Sequence, residues 1–497
     1  MKIRYILGVC LALAATSKSF AQSQDTEYFA VLMEGKKVGH AIQSRVEADG
    51  KVTSSEEVSI TISRANIPIT IKMTETCIET TDGKPLGFEL IQDLGIMTMK
   101  MAGTVDEKGM VNVTTTSMGS KQESTMQWPS DAVMAEGLLL LSQRKGLKQG
   151  TTYTARIFSP SIMQALDAQI QVGAKQNVNL LGRVVALTEV TSTYSMPGAG
   201  EMVSTSYVDD NLRVQKSTTP ILDLQVELVS CTKEFALGQN EVFEIIDKVF
   251  LASPRPLDNV DLAKSVIYHL SPIKEVDLII PSNDNQKVQR LKNGTVMVTV
   301  EPVTAPTGAR FPYKGNNNTI LEATKPNRFL QSDHKKIIEL AHHAIGDTKD
   351  AAEAVKRIEA FVAEYIETKS LSVGYASAVE VADSKQGDCS EHAVLTAAMC
   401  RAVGIPAQVV TGIAYVKDFA GLQDCFGPHA WVQAYIGGPP QADGKWMGLD
   451  AAFKGTGRGG YGPGHIALAV GNGEPADFFN LLTTLGQFKI DKVLVKK

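Results

Sequence analysis

Cys389, His429 and Asp450 follow one another in the last third of the chain, in the contexts GDCSEH, PHAWVQ and MGLDAA. A thiol that opens a helix, then an imidazole and a carboxylate on two short strands, is the set a cysteine nucleophile needs. The chemistry it points to is acyl transfer through a thioester. Ala393, Ala397 and Cys400 recur at the helical repeat between Ser390 and Val403, and Gly404 and Pro406 are stop signals. The helix therefore starts at Cys389, where free backbone N–H groups and the helix dipole favour an anion. Such a place lowers a thiol pKa from about 8.5, and the thiolate is the reactive form. The same N–H groups can stabilise the oxyanion of a tetrahedral intermediate. Gly387 allows a sharp approach to the helix, and Asp388 lies near its positive end.

The base needs a strand. His429, Trp431, Gln433 and Tyr435 share one face of an alternating run, and Ala430, Val432, Ala434 and Ile436 share the other. Asp450 closes a second short run from Trp446, where a carboxylate can fix the imidazole tautomer and stabilise its charged form. Two helices should precede the thiol. Ile337, Ile338, Leu340, Ala341, Ala344 and Ile345 form one apolar stripe. Val355, Ile358, Phe361, Val362, Tyr365 and Ile366 form another, with Asp350 and Glu353 as its capping box. Gln408 to Val416 is β-branched and strand-like.

Blander readings are an inert buried Cys389 and a turn residue at Asp450; the order and element types of the three positions weigh against both. Zinc is the competing chemistry, since Cys389 and His392, three apart on one helix, could join His429 and Asp450 as ligands. We prefer no metal, with His392 packing or hydrogen-bonding beside the thiol. His342 and His343 are adjacent on a helix and cannot share a face, which suits surface or partly buried roles. His465 follows a Gly-rich stretch, Gly455 to Gly464, and could approach the site, although no spacing requires it.

Four motifs then fall together: Gly387-Asp388-Cys389, Arg401-Ala402-Val403-Gly404-Ile405-Pro406-Ala407, His429-Ala430-Trp431, and Trp446 through Asp450. Over about residues 377 to 453 the chain resembles the core of the transglutaminase-like superfamily, in its bacterial members. The resemblance implies a papain-like α+β fold, a helix carrying the cysteine packed on an antiparallel sheet carrying the histidine and aspartate. It implies Cys389 as nucleophile, His429 as general base and acid, Asp450 as the orienting residue, and no metal or organic cofactor. Trp431 and Gln386 are expected at the substrate. Tyr365, Tyr375 and Gln386 are the candidates for a side-chain oxyanion donor. Gln408 stands where many members have Arg.

The N-terminus sets the compartment. Lys2 and Arg4 precede the apolar run Tyr5 to Ala15, and Ser19-Phe20-Ala21 offers a cleavage site. This is a secretory signal peptide, 1–21, cut after Ala21; its apolar run is too short to span a bilayer as an ordinary helix. The mature protein is expected to be secreted or periplasmic, with no stable membrane insertion. Cleavage removes Cys10. With Cys389 reserved for chemistry, an oxidising compartment permits Cys77–Cys231 and Cys400–Cys425 bridges, weighed evenly against four buried thiols. A net charge of −5 gives no reason to propose nucleic acid or an anionic membrane as partner.

The 497 residues suggest about three domains. Residues 22–245 read as β-rich. Val58 to Ile62, Ile67 to Met73 and the core-facing alternation Met97-Thr98-Met99-Lys100-Met101 are strands, with turns at Ala48-Asp49-Gly50 and Asp82-Gly83 and one helix from Ser130 to Arg144. On Gly35 to His40, Thr80 to Leu86 and Val208 to Val214 this region resembles the curved sheets of lipoprotein-sorting-type domains. That resemblance implies either substrate docking or a spacing module. Residues 246–327 read as a small β-rich domain with strands at Val266 to Leu270, Leu278 to Ile280 and Val296 to Val300, and 328–497 as the catalytic domain. The expectation is a thiol-dependent enzyme acting on peptide or side-chain amide bonds of a protein or peptide, with water as acceptor. The alternatives are an amine acceptor, as in protein cross-linking, or a non-catalytic scaffold.

Overall fold

The computed structural model describes residues 25–497 except 65–66, 94–97, 118–119, 197–199, 222–223, 274–277, 293, 307, 370–375, 439–440, 474–480 and 482–483. The signal segment therefore lies outside the described residues, as does Tyr375. The chain divides into two compact units, Met1–Ile245 and Ile246–Lys497.

Alternation builds the first unit. In the Ile67–Thr80 strand, Ile69, Ile71, Met73, Glu75, Cys77 and Glu79 are buried and the residues between them are not. Tight turns return the chain: Asp49 and Gly50 both have positive φ, 52° and 73°, as a type I′ hairpin turn requires. Fifteen described strands form one sheet. A meander runs outward from Asp25–Met33 to Ser120–Gln127. A second meander runs from Thr152–Ser159 back to Leu224–Cys231, which pairs with Asp25–Met33. The helix is Ala135–Lys145, shorter at its start than expected because Ala132–Val133 joins the sheet edge beside Arg156 and Ile157. Met101, in the Thr98–Val105 strand, faces inward.

One row of this interior is polar. Gln43, Glu56 and Glu75 lie opposite one another on three adjacent strands, all buried. Gln43 Nε2 donates to Glu56 Oε1 at 2.7 Å. Glu56 Oε2, Glu75 Oε2 and Gln43 Oε1 have no hydrogen-bond partner among the described residues. Burial pushes the Glu56 carboxyl up to about 7, and burial with the neighbouring Glu56 charge pushes Glu75 well above the usual range.

The five described cysteines are free, so neither expected bridge forms. Cys77 and Cys231 lie on strands four steps apart in the sheet, about 19 Å along it at the usual strand spacing. Disulfide Cα atoms lie within about 7 Å of each other. Cys400 is buried in the last turn of its helix, and Cys425 is buried on the sheet opposite Val416.

In the second unit, helices Lys335–Ile345, Ala351–Tyr365, Ala378–Ser384 and Cys389–Ala402 pack together. Asp350 caps the second of them, its Oδ1 accepting from Glu353 N–H at 2.9 Å. The Cys389–Ala402 helix, here the cysteine helix, lies on the Ala407–Phe419 and Leu422–Gly438 strands. Leu422–Gly438, the histidine strand, also pairs with Gln441–Leu449 and Leu251–Ala252, and Ala407–Phe419 pairs with His465–Gly471.

Residues 246–327, read from the sequence as a domain of their own, belong to this same compact unit. Ser265–Pro272 and Val296–Val300 are strands; Leu278 to Ile280 is not, and Gln286–Arg290 is the third. Ser265–Pro272 pairs on its free side with the C-terminal strand Phe488–Lys496. Gln286 is further bonded to both backbone groups of Ala467, and Asn285 Nδ2 donates to Trp446 O. One edge of this small sheet is thus completed by the C-terminal strand, so the region does not close on itself.

The polar row of the first unit gives a test. A carboxyl raised from 4.5 to about 7 holds its proton more tightly when folded. Its stability contribution is complete below the unfolded value and is lost as pH rises through the folded one. Glu56→Gln removes that titration, and its amide N–H can serve a neighbouring oxygen. Unfolding free energy in urea should match wild type at pH 4 and exceed it at pH 8, by at most about 3 kcal/mol. Equal unfolding free energies of the two proteins at both pH values would contradict this.

Candidate active site

Cys389 is the first residue of its helix and is half-buried. Asp388 is the N-cap: its Oδ1 accepts from Ser390 N–H at 2.9 Å, while Glu391 Oε2 accepts from Asp388 N–H at 2.9 Å. This reciprocal box fixes where the helix begins, and so where the thiol meets the free N–H groups. Glu391 Oε1 also accepts from Ala376 N–H at 3.0 Å, tying the end of the preceding loop to the same carboxylate. Burial, with Asp388 beside it, pushes the Glu391 carboxyl well up. His392, one turn along, donates from Nδ1 to Asp388 O at 2.7 Å. Its Nε2 has no partner among the described residues. Burial lowers the His392 pKa against the pull of that backbone carbonyl and of Asp450, whose charge reaches this first turn.

His429 lies on the histidine strand and is 7% exposed. Its Nε2 donates to Asp450 Oδ2 at 2.8 Å, leaving Nδ1 as the nitrogen for a thiol. Phe453 stacks on the imidazole at 4.3 Å between ring centroids and limits its rotation. Asp450 follows the Gln441–Leu449 strand and caps the short helix Ala451–Lys454, Oδ1 accepting from Phe453 N–H at 2.9 Å. The Asp450 N–H donates to Glu359 Oε1 at 2.7 Å, and Lys454 lies 3.3 Å from the other Glu359 oxygen. Burial alone would raise the Asp450 carboxyl. The charges of His429 and His465 and their hydrogen bonds overcome it and hold the group well below the usual carboxylate range.

His465 completes the cluster. Its Nε2 is 2.9 Å from Asp450 Oδ2, the same oxygen that serves His429, and it is fully buried. The ligand-type atoms of His429, Asp450 and His465 lie within 4.8 Å of one another. Both imidazoles aim at one oxygen at N–H···O distance, so the trio is a hydrogen-bonded set rather than a ligand set.

A model of the transglutaminase-like superfamily matches residues 338–451, which contain Cys389, His429 and Asp450 and stop short of His465. The second unit carries a transglutaminase-like core. That family is one of thiol-dependent enzymes, and the fold class is as expected, an α+β core at the C-terminus preceded by a large β-rich region. No curated protein sequence matches the chain. Three solved structures are similar in part. A candidate cysteine protease from Cytophaga hutchinsonii is 18% identical over 50% of this chain and 84% of that one, with a TM-score of 0.31. A β-barrel-like protein of a domain of unknown function from Brucella abortus is 12% identical over 42% and 96%, TM-score 0.33. The periplasmic domain of TgpA from Pseudomonas aeruginosa, bound to ethylmercury, is 15% identical over 41% and 75%, TM-score 0.28. At these scores the likenesses carry no weight on chemistry or substrate.

Within the transglutaminase-like core the other expected residues fall out differently. Trp431, expected at the substrate, is 3% exposed and packs on Val410 and Ala467. Its ring packs against those of His429 and His465, at 6.0 and 5.0 Å. Tyr365 donates its hydroxyl to Ala382 O. Gln386 is half-buried, bridged through its backbone to Thr368. His342 and His343 are exposed. His465 had only one signal in the sequence, its place just after a Gly-rich stretch, and that signal carried no spacing rule.

The approach to the cysteine helix is sterically closed to any side chain. A Cβ on Gly387 would lie 2.2 Å from Glu391 Cβ and 2.5 Å from its Cγ. Gly387→Ala must displace the residue that completes the cap, and should cost about 2 kcal/mol of stability. Denaturant unfolding measures this; an unchanged midpoint would show that the cap tolerates the shift.

Proposed function

We propose that the chain is a secreted thiol-dependent acyl-transfer enzyme that cleaves peptide or side-chain amide bonds through a thioester on Cys389. The observation that carries the reading is the buried hydrogen bond from His429 Nε2 to Asp450 Oδ2 at 2.8 Å. It leaves Nδ1 as the nitrogen for the thiol, on a strand that packs against the cysteine helix. The Cys389 thiolate attacks the amide carbonyl, forming a C–S bond and sending the π electron pair to oxygen. The N–H groups of the first helical turn receive that oxyanion. His429 gives its proton to the leaving amine as the C–N bond breaks. Water then attacks the thioester, His429 takes its proton, and the thiolate leaves with the acid released. Water is the favoured acceptor because it is present at solvent concentration. The partners are a protein or peptide. No helix among the described residues is long and apolar enough to cross a membrane.

The experiment pairs wild type with Cys389→Ala and Asp450→Asn on a protein substrate with a small labelled primary amine present. We expect new chain termini or free ammonia without label incorporation, abolished in Cys389→Ala and reduced about 10³- to 10⁴-fold in Asp450→Asn. Label incorporation would replace hydrolysis by cross-linking. Wild type indistinguishable from Cys389→Ala in both assays would leave the scaffold reading. Secretion is tested separately: the exported protein should begin at Gln22, and retention of Met1 would refute it.

A further inference from the structure

Both ring nitrogens of His465 face hydrogen-bond acceptors. Nε2 lies 2.9 Å from Asp450 Oδ2, and Nδ1 lies 2.8 Å from Gly462 O. A carbonyl oxygen only accepts, and so does an ionised carboxylate. Each of these contacts therefore needs a hydrogen on the ring. The Gly462 N–H also faces Nδ1, but at 3.4 Å it is the longer and weaker alternative. Both nitrogens then carry protons and the ring is an imidazolium, with an exposure of 0%. A cation so placed needs an anion in contact, and Asp450, at 1% exposure, is that anion. The same Oδ2 receives His429 Nε2.

We infer that His465 is a positioning residue, a buried imidazolium that pins Asp450 Oδ2 between two rings and offsets part of its charge on His429. Its catalytic consequence rests on the proposed thiol chemistry; its protonation state does not. Without His465, Asp450 would have one fewer anchor and would direct its whole charge at His429. The other charged and titratable groups facing the trio are Glu359 and Lys454 at the Asp450 backbone, His392 on the cysteine helix, and Tyr461, whose ring is 4.9 Å from His465. Beyond Gly462 lies Asp261, which is paired with Arg458. Lys454 and Arg458 are already matched to Glu359 and Asp261, and Lys369 lies at Gly455, so the positive groups in contact with Asp450 are the two imidazoles, His429 and His465.

The test uses the full mature chain with ¹⁵N-labelled histidine, of which the sequence has eight. At neutral pH the histidine whose signals vanish in His465→Gln should show protons on both ring nitrogens; a single neutral tautomer there would overturn the inference. Second, His465→Gln keeps a donor without the charge and His465→Leu removes both. Alkylation of Cys389 should slow about tenfold in His465→Leu. In His465→Gln the alkaline end of the alkylation profile should move up by about one pH unit, because the uncompensated carboxylate holds the site's remaining proton more tightly. Lower melting temperatures with an unmoved profile would mean a merely structural histidine. A thiol that is slow even in wild type would refute the proposed function, while the ring signals would still decide His465.

Discussion

A carboxylate at 1% exposure must be met where it stands by donors and positive charge, and Asp450 is met from three elements. Phe453 N–H satisfies Oδ1; His429 from the histidine strand and His465 from the neighbouring segment share Oδ2. The Asp450 N–H in turn is fixed on Glu359 of the long Ala351–Tyr365 helix. Removing one partner from a buried charge pair costs about 3–5 kcal/mol, whereas an exposed ion pair contributes at most about 1 kcal/mol. The surface pairs of this unit, such as Lys335 with Glu339, therefore matter little beside this one.

That constraint explains the shape of the rest of the unit. The stretch that delivers His465 is braced on both sides. Tyr268 donates its hydroxyl to Pro463 O at 2.6 Å, and Gln286 holds both the N–H and the carbonyl of Ala467. Tyr268 and Gln286 belong to the small sheet finished by the C-terminal strand. The strands that read as a separate domain are the support that keeps His465 on Asp450. The thiol is placed by a different device, the box of Asp388 and Glu391, whose bonds are local to the start of the helix.

Legibility in the sequence followed the range of the interaction. The cysteine helix and its start, the strand under His429 and the Asp350 cap are local, set by periodicity and by residues within a turn, and they stand where the sequence puts them. The alternation of the first unit was equally plain, but alternation names a face and not a neighbour. So the pairing of Asp25–Met33 with Leu224–Cys231 could not be read, nor the separation of Cys77 from Cys231 that follows from it. Leu278 to Ile280 looked like a strand because short apolar runs do so whatever they become. Trp431 shares a face with His429, but Val410, Ala467 and Tyr461 pack around it there, and sequence alone does not show that strand pairing and the later segment bring them together. His465 is the clearest loss: glycines around it remove the periodicity by which a residue announces its direction.

The most direct measurement of the central claim is to follow acylation of the mature protein by p-nitrophenyl acetate, quenched in acid and mapped by mass spectrometry. The account predicts a hydroxylamine-labile acetyl group on the peptide carrying Cys389, formed rapidly in wild type and lost with His429→Ala. Acetylation confined to lysines, or equal labelling of Cys389 with and without His429, would contradict it.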